Sequence, residues 1–219
     1  MNPSIHENHL CPLCNSGGAR EFHHDTCRKY FRCGNCGLIF VPPGFFISPE
    51  EEMARYDLHC NSSSDDGYCG FLKRLFDPLN SRLSLHSAGL DFGSGPGPAL
   101  SKMFEDHGHS MMLYDPFYAD DPSAFETAYD FITATEVFEH LHEPGMEADR
   151  IWKCLKPGGW LGIMTNPVPA DEAFADWYYI RDITHVCFFS NESFRWLAER
   201  WNAELTIIEP DVILFRKSE

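Results

Sequence analysis

The stretch most able to do chemistry is LDFGSGPG, Leu90 to Gly97, three alternating glycines directly after a short apolar run. Glycines in such a loop let a ligand approach the backbone closely. The dinucleotide fingerprint G-x-G-x-x-G is met at Gly93 and Gly95, but Pro98 holds its third place and Gly97 comes one residue early. A triphosphate loop needs Gly-Lys-Ser/Thr five residues after its first glycine, where Pro98 also stands. Pro96 and Pro98 have no N–H, and a phosphate at a helix N-terminus needs those donors. A nucleoside cofactor without phosphates fits the loop better, and S-adenosylmethionine is such a cofactor. Asp115 ends the next expected strand, where a carboxylate can accept bonds from both ribose hydroxyls or simply close a turn. Asp91 either steadies the loop or meets the cationic amino-acid end of the cofactor.

A second constellation lies upstream. Cys11-x2-Cys14 and Cys33-x2-Cys36 are separated by eighteen residues. This is the spacing of a four-thiolate Zn2+ site, closed to further ligands and therefore structural. Four unpaired core cysteines are the alternative. His23, His24 and Cys27 lie between the pairs at poorer spacing and are taken as non-ligands.

These groups need elements to position them. Residues 1–44 are expected to form a zinc ribbon and residues 45–87 a helical lid or linker. In the linker Ser48-Pro49-Glu50-Glu51 reads as a capped helix start, with the helix ending near His59. CNSSSDDGYCG (60–70) reads as a loop, and FLKRLFDPLNSRLSL as a helix with a kink or break at Pro78. From residue 88 to 219 strands and helices alternate. Strands are expected at Ala88–Phe92, Ser110–Tyr114, Tyr129–Thr135, Trp160–Thr165, Ala203–Ile208 and Val212–Phe215. Helices are expected at Pro98–His107, Glu143–Leu155 and Ser190–Arg200. A turn is expected at Lys156 to Gly159. The pattern predicts an α/β, Rossmann-like domain with a mostly parallel sheet and an antiparallel last strand. The space between Asp115 and Tyr129 is short for a strand plus a helix, so one sheet element is expected to be missing.

Taken together, LDFGSGPG, YDP, YDFITATEVFEHL and LKPGGWLGIMT resemble the class I S-adenosylmethionine-dependent methyltransferases from about Phe71 onward. With the ribbon and WYYIRDITHVCFFS, the chain is similar to a bacterial subgroup of these enzymes. The resemblance implies a seven-stranded type of sheet with the cofactor over the strand ends. It implies cofactor contacts from Asp91, Gly93, Gly95 and Gly97, ribose contacts from Asp115, and lining from Thr135, Glu136 and Val137. The segment after Asp115 departs from the usual pattern, and Pro116 and Phe117 are the candidates for the adenine wall. Tyr56 and His59 sit on a helix that in similar enzymes folds over the cofactor.

Methyl transfer from a sulfonium is an in-line displacement, so alignment and a dry pocket matter most. A hydroxyl or protonated amine acceptor also needs a base. His140 and His185 are the candidates, although each could instead pack structurally. Trp177-Tyr178-Tyr179 would form a substrate wall or belong to the core.

The 219 residues carry 33 acidic against 17 basic side chains, a formal charge of −16. Such a chain repels phosphate backbones, which argues against nucleic acid as a partner, although the ribbon carries Arg20, Arg28, Lys29 and Arg32. No apolar run reaches the roughly 18 residues of a membrane span. The start, MNPSIHENHL, lacks a secretory pattern. Nine cysteines in this arrangement suit a reducing compartment, so a cytoplasmic location is expected. The expected function is methyl transfer to a small-molecule acceptor. The competing expectations are an inactive binding module, an NAD-dependent oxidoreductase, and a methyltransferase of nucleic acid or ribosomal protein.

Overall fold

The structure is a computed structural model and describes residues 9–58 and 65–219. The N-terminal ribbon contains β1 (Arg20–His24), β2 (Lys29–Arg32) and β3 (Ile39–Phe40), paired antiparallel in that order. Each Cys pair closes a turn in which the first cysteine's carbonyl accepts a backbone N–H, from Asn15 and from Gly37. Gly37 sits at φ +70°, and an added Cβ there would lie 2.5 Å from the Glu192 carboxylate.

The helix α1 (Pro49–Tyr56) starts as the sequence predicts, with Ser48 and Glu51 forming a reciprocal capping box and proline in the first turn. It stops at Tyr56, and His59 lies outside the described residues. Of the expected loop over 60–70, residues 60–64 lie outside the described residues and the rest belongs to a helix and its N-terminal cap. Asp65 accepts the N–H groups of Gly67 and Tyr68, which starts α2 (Asp66–Asn80) within that stretch. Pro78 lies in the last turn of α2 and the helix ends two residues later.

The main domain follows as β4 (Ala88–Phe92), α3 (Ala99–Asp106), β5 (Ser110–Tyr114), β6 (Tyr129–Thr135), α4 (Pro144–Lys153) and β7 (Leu155–Met164). It then runs through β8 (Cys187–Phe188), α5 (Asn191–Trp201), β9 (Glu204–Ile208) and β10 (Val212–Arg216). The main sheet has the order β5-β4-β6-β7-β10-β9. The pairs among β5, β4, β6 and β7 are parallel, and β10 is antiparallel to both of its neighbours. Among the described residues the sheet therefore has six strands, not the seven implied by the resemblance. After β5 the chain makes only a bridge, Asp115 to Ala119, and a 3-10 turn at Pro122–Phe125. Pro116 and Pro122 cannot donate to a ladder, and few residues separate β5 from β6.

The predicted turn at Lys156 to Gly159 lies inside β7 rather than before it. Tyr129 faces Leu155 while Phe131 faces Trp160, so these residues bulge out of register. Gly158 takes φ +74° there, and Lys156 Nζ reaches the Asp130 carboxylate at 2.8 Å.

One face of the sheet packs on α2 and α3 through Leu72, Leu75, Phe76, Leu79, Leu100 and Phe104. The other face carries α4 and α5, and its core is continuous with Tyr30, Phe31 and Phe40 of the ribbon. Each such fully buried large apolar side chain contributes about 1.5–3 kcal/mol. The ribbon is also joined through its backbone. The strand β3 pairs with β8, Ile39 opposite Phe188 and Phe40 opposite Cys187. Gly145 at the start of α4 donates its N–H to the Pro12 carbonyl at 3.1 Å, and an added Cβ would meet the Leu13 oxygen at 2.3 Å. Among the described residues no helix is long and apolar enough to cross a membrane.

Candidate functional site

The C-terminal ends of β4, β5 and β6 open into a cavity of about 690 Å3. Asp91, Gly93, Gly95, Gly97, Asp115, Pro116, Thr135, Glu136, Val137, His140 and His185 all line it. Residues scattered over ninety-five positions are thus brought to one cleft. Phe117 and Tyr56 join them, the Tyr56 ring edge-on to His140 at 5.2 Å and against Phe117 at 5.6 Å.

The glycine loop is tied to the strand beside it. Gly93 and Ser94 donate their N–H groups to the Tyr114 carbonyl at 2.8 and 3.2 Å, and Gly95 donates to Asp115 Oδ2 at 2.9 Å. The other Asp115 oxygen accepts from the Phe117 and Tyr118 backbones at 2.9 and 3.2 Å. The loop thus has two reasons to be a poor phosphate cradle: its prolines lack donors, and three of its N–H groups are already engaged. Gly93 and Gly95 have positive φ, +78° and +61°.

Asp91 is buried beneath the loop, one oxygen accepting from Ser101 and the other from Thr133, both at 2.8 Å. It thereby ties α3 and β6 to the floor of the cleft. Burial pushes its pKa up. Glu136 takes φ +52°, a left-handed conformation that a non-glycine residue holds at a cost of about 1–2 kcal/mol. Burial raises its pKa, and repulsion from Glu139 and Asp211 adds to this against the attraction of Arg74. Three atoms of cleft-lining side chains, Ser94 Oγ, Thr135 Oγ1 and Glu136 Oε1, are buried with no hydrogen-bond partner. Buried polar atoms are rarely left so.

The far side of the cleft holds the two histidines, rings edge-to-face at 4.7 Å. His140 Nδ1 faces the Thr184 carbonyl at 3.3 Å and His185 Nδ1 faces the Tyr179 carbonyl at 2.8 Å. A carbonyl only accepts, so each neutral ring carries its proton on Nδ1 and its lone pair on Nε2. Asp182 also lines this side. Burial works against its charge, but the N–H and hydroxyl of Thr184 and the nearby His185 and His140 hold its pKa below the usual value. Glu139, His140 and His185 offer ligand-type atoms within 4.8 Å of one another, the geometry of a possible cation cluster.

The aromatic stretch is not part of the cleft wall. Tyr179 is buried and hydrogen-bonded to Glu139 and Thr165, Trp177 packs against the core, and Tyr178 is exposed. Sequence reasoning missed Glu139 and Asp182. Asp182-x-Thr184 is a local turn pattern in which a carboxylate bonds backbone two residues on, and it was a usable signal. Glu139 has no signal of its own, because only the fold buries it.

Glu139 yields a pH prediction. It is fully buried, and desolvation pushes its pKa up to about 7, against the bond from Tyr179. The folded chain then binds more protons than the unfolded one between the ordinary carboxylate range and about pH 7. Stability of the ligand-free chain is expected to be highest below that window and to fall as pH rises through it. Thermal midpoints from pH 4.5 to 8 should show this fall, and Glu139→Gln should lessen it, the buried Glu136 carboxyl keeping the remainder. An unchanged slope in the variant would show that Glu139 is not the group responsible.

In the ribbon, Cys11 and Cys36 sulfurs lie 3.5 Å apart, as do those of Cys14 and Cys33, and all four lie within 4.8 Å of one another. Thiolates around a tetrahedral Zn2+ at about 2.3 Å lie roughly 3.8 Å apart, so the four fit such an ion. Ser16, which sequence reasoning did not single out, places its hydroxyl 3.0 Å from Cys14 Sγ and 3.2 Å from Cys33 Sγ.

No curated protein matches the chain in sequence. Among solved structures it is similar to Burkholderia thailandensis 1,6-didemethyltoxoflavin-N1-methyltransferase, bound to 1,6-didemethyltoxoflavin and S-adenosylhomocysteine. The two share 16% identity and a TM-score of 0.55, over 91% of this chain and 99% of that one. It is also similar to Haemonchus contortus phosphoethanolamine N-methyltransferase 2, at 16% identity and TM-score 0.50, over 64% of this chain and 39% of that one. At these identities the likeness is one of fold. Residues 63–208 match a family model described as a methyltransferase domain, and the chain belongs to that family.

Proposed function

We propose that the protein transfers a methyl group from S-adenosylmethionine to a small-molecule acceptor. The observation that carries this reading is the acidic cleft, whose described lining has no lysine or arginine, beside a glycine loop whose two prolines lack N–H and whose Gly93, Ser94 and Gly95 N–H groups are engaged. When bound, the cofactor supplies a methyl carbon activated by its sulfonium. Asp115 holds the loop and offers its carboxylate to the ribose, with Pro116 and Phe117 as the adenine wall. Asp91 and Glu136 face a cationic amino-acid end. His140 and His185 present Nε2 lone pairs on the acceptor side, where one of them takes the acceptor's proton. The four cysteines hold a structural Zn2+.

The described residues lining the cleft include Glu52, Asp91, Asp115, Glu136, Glu147 and Asp182 but no lysine or arginine. That lining repels phosphates and so disfavours NAD and nucleic acid. It suits a cationic donor and an uncharged or cationic acceptor. The intact glycine loop and Asp115, both on the cleft, argue against an inactive binding module. Four cysteines gathered as a thiolate site suit a reducing, cytoplasmic setting.

Calorimetry with S-adenosylhomocysteine tests the reading. Micromolar binding that NAD does not displace is expected. Absence of binding at millimolar ligand would remove the enzyme reading.

A further inference from the structure

Arg28 belongs to the ribbon, in the turn between β1 and β2, yet it is only 5% exposed. Its Nη1 donates to the carbonyls of Ile183 at 3.1 Å and His185 at 2.9 Å. Its Nη2 donates to those of Ile180 at 2.6 Å and Asp182 at 3.1 Å. The four terminal N–H groups of the guanidinium are thus matched by four carbonyls from one six-residue segment. The charge is met by the face of Tyr30 at 5.4 Å and by the field of Asp25. Asp25 is itself held by the N–H groups of Cys27 and Arg28 and by the Tyr30 hydroxyl.

The gripped segment is the acceptor side of the cleft. It contains Asp182 and His185, and its Thr184 carbonyl accepts from His140 Nδ1. The contacts on either side run the same way. Val41 of the ribbon donates to the Val186 carbonyl at 2.9 Å, and Val186 donates to the Glu139 carbonyl at 2.8 Å. The cofactor side is built separately, from the ends of β4, β5 and β6, and none of Arg28's hydrogen bonds goes there.

We propose that Arg28 is a positioning residue: through it the ribbon sets the segment that orients the His185 and His140 imidazoles. The catalytic meaning of this role rests on the methyl-transfer reading of the cleft, while the geometric role does not. Lysine cannot replace it, because one ammonium does not span four carbonyls arranged around a planar fork.

The test uses the full-length zinc-loaded chain and its Arg28→Ala and Arg28→Lys variants. Two quantities are measured: the 15N shifts of the two imidazoles and the affinity for S-adenosylhomocysteine. In the wild type both rings should report Nδ1–H. In Arg28→Ala the His185 signal should become a mixture of tautomers, and millimolar guanidinium should restore it by refilling the vacated site. Arg28→Lys should show the mixture too. Affinity for S-adenosylhomocysteine should change by no more than about twofold, as expected for separate sites. Wild-type shifts in both variants would overturn the proposal. So would a parallel loss of ligand affinity of tenfold or more, which would mark a general structural role. Should Arg28→Ala not fold, Arg28→Lys decides by the same two measurements. If the wild type itself binds no S-adenosylhomocysteine, the methyl-transfer reading fails while the imidazole shifts still judge Arg28.

Discussion

Gly93→Ala is expected to bind S-adenosylhomocysteine about a hundredfold more weakly than the wild type. Two costs combine. At φ +78° an alanine adopts the left-handed conformation, worth about 1–2 kcal/mol. Its Cβ would lie 2.3 Å from Val137 Cγ2, so Val137 or the loop has to shift. Overpacking of this kind costs about 1–3 kcal/mol, and each 1.4 kcal/mol is a factor of about ten in affinity. Val137 lines the cavity, so its displacement narrows the space for a ligand as well as straining the loop. The double variant Gly93→Ala, Val137→Ala removes the contact but keeps the backbone cost, and should recover part of the affinity. Calorimetry on the two variants checks this. Near wild-type binding by the single variant would show that the loop does not hold the ligand.

The second large effect concerns the ribbon. On the proposal that the four cysteines hold a structural Zn2+, chelating that ion or substituting Cys33→Ser is expected to lower the thermal midpoint of the whole chain by more than about 10 °C. Structural Zn2+ in small domains contributes roughly 10–16 kcal/mol of apparent binding free energy. In a chain of this size each kcal/mol moves the midpoint by about 2–4 °C, so loss of even a fraction of that energy suffices. The loss should not stay local. The ribbon's sheet is completed by β8, and its core runs into that of the main domain. Hydrogen exchange should therefore quicken across Val186 to Phe189 as well as in the ribbon. Metal analysis and calorimetric scanning test this, and an unchanged midpoint after chelation would refute it.

Much of the site was legible because local rules dominate there. The glycine loop, Asp115 and the Thr135–Val137 segment all follow the ends of short apolar strands, and parallel strands bring their C-terminal ends to one edge of a sheet. Strand bounds at Ala88–Phe92, Ser110–Tyr114 and Tyr129–Thr135 agree with the structure because each apolar run is cut by glycine, proline or charge. The missing strand after β5 was legible too, from a simple shortage of residues. Other features resisted. The start of α2 was hidden in a polar run, where Asp65 acts as a cap only because a helix follows it. The turn at Lys156 to Gly159 was read as a break because glycine and proline end isolated strands, whereas the long pairing of β7 with β6 and β10 absorbs it as a bulge.

The sequence by itself determined the chemistry available: a loop unsuited to phosphate, a carboxylate after the next strand, two candidate bases and four thiolates at zinc spacing. Those are properties of residue type and short spacing, which act through backbone conformation and donor count. Only the tertiary structure decided that the ribbon and the cleft are one construction. Arg28 meets carbonyls more than one hundred and fifty residues away, and β3 finds its partner in β8. No local pattern encodes such contacts. They exist because one buried guanidinium and four buried or half-buried carbonyls satisfy each other only when the whole chain has folded around them.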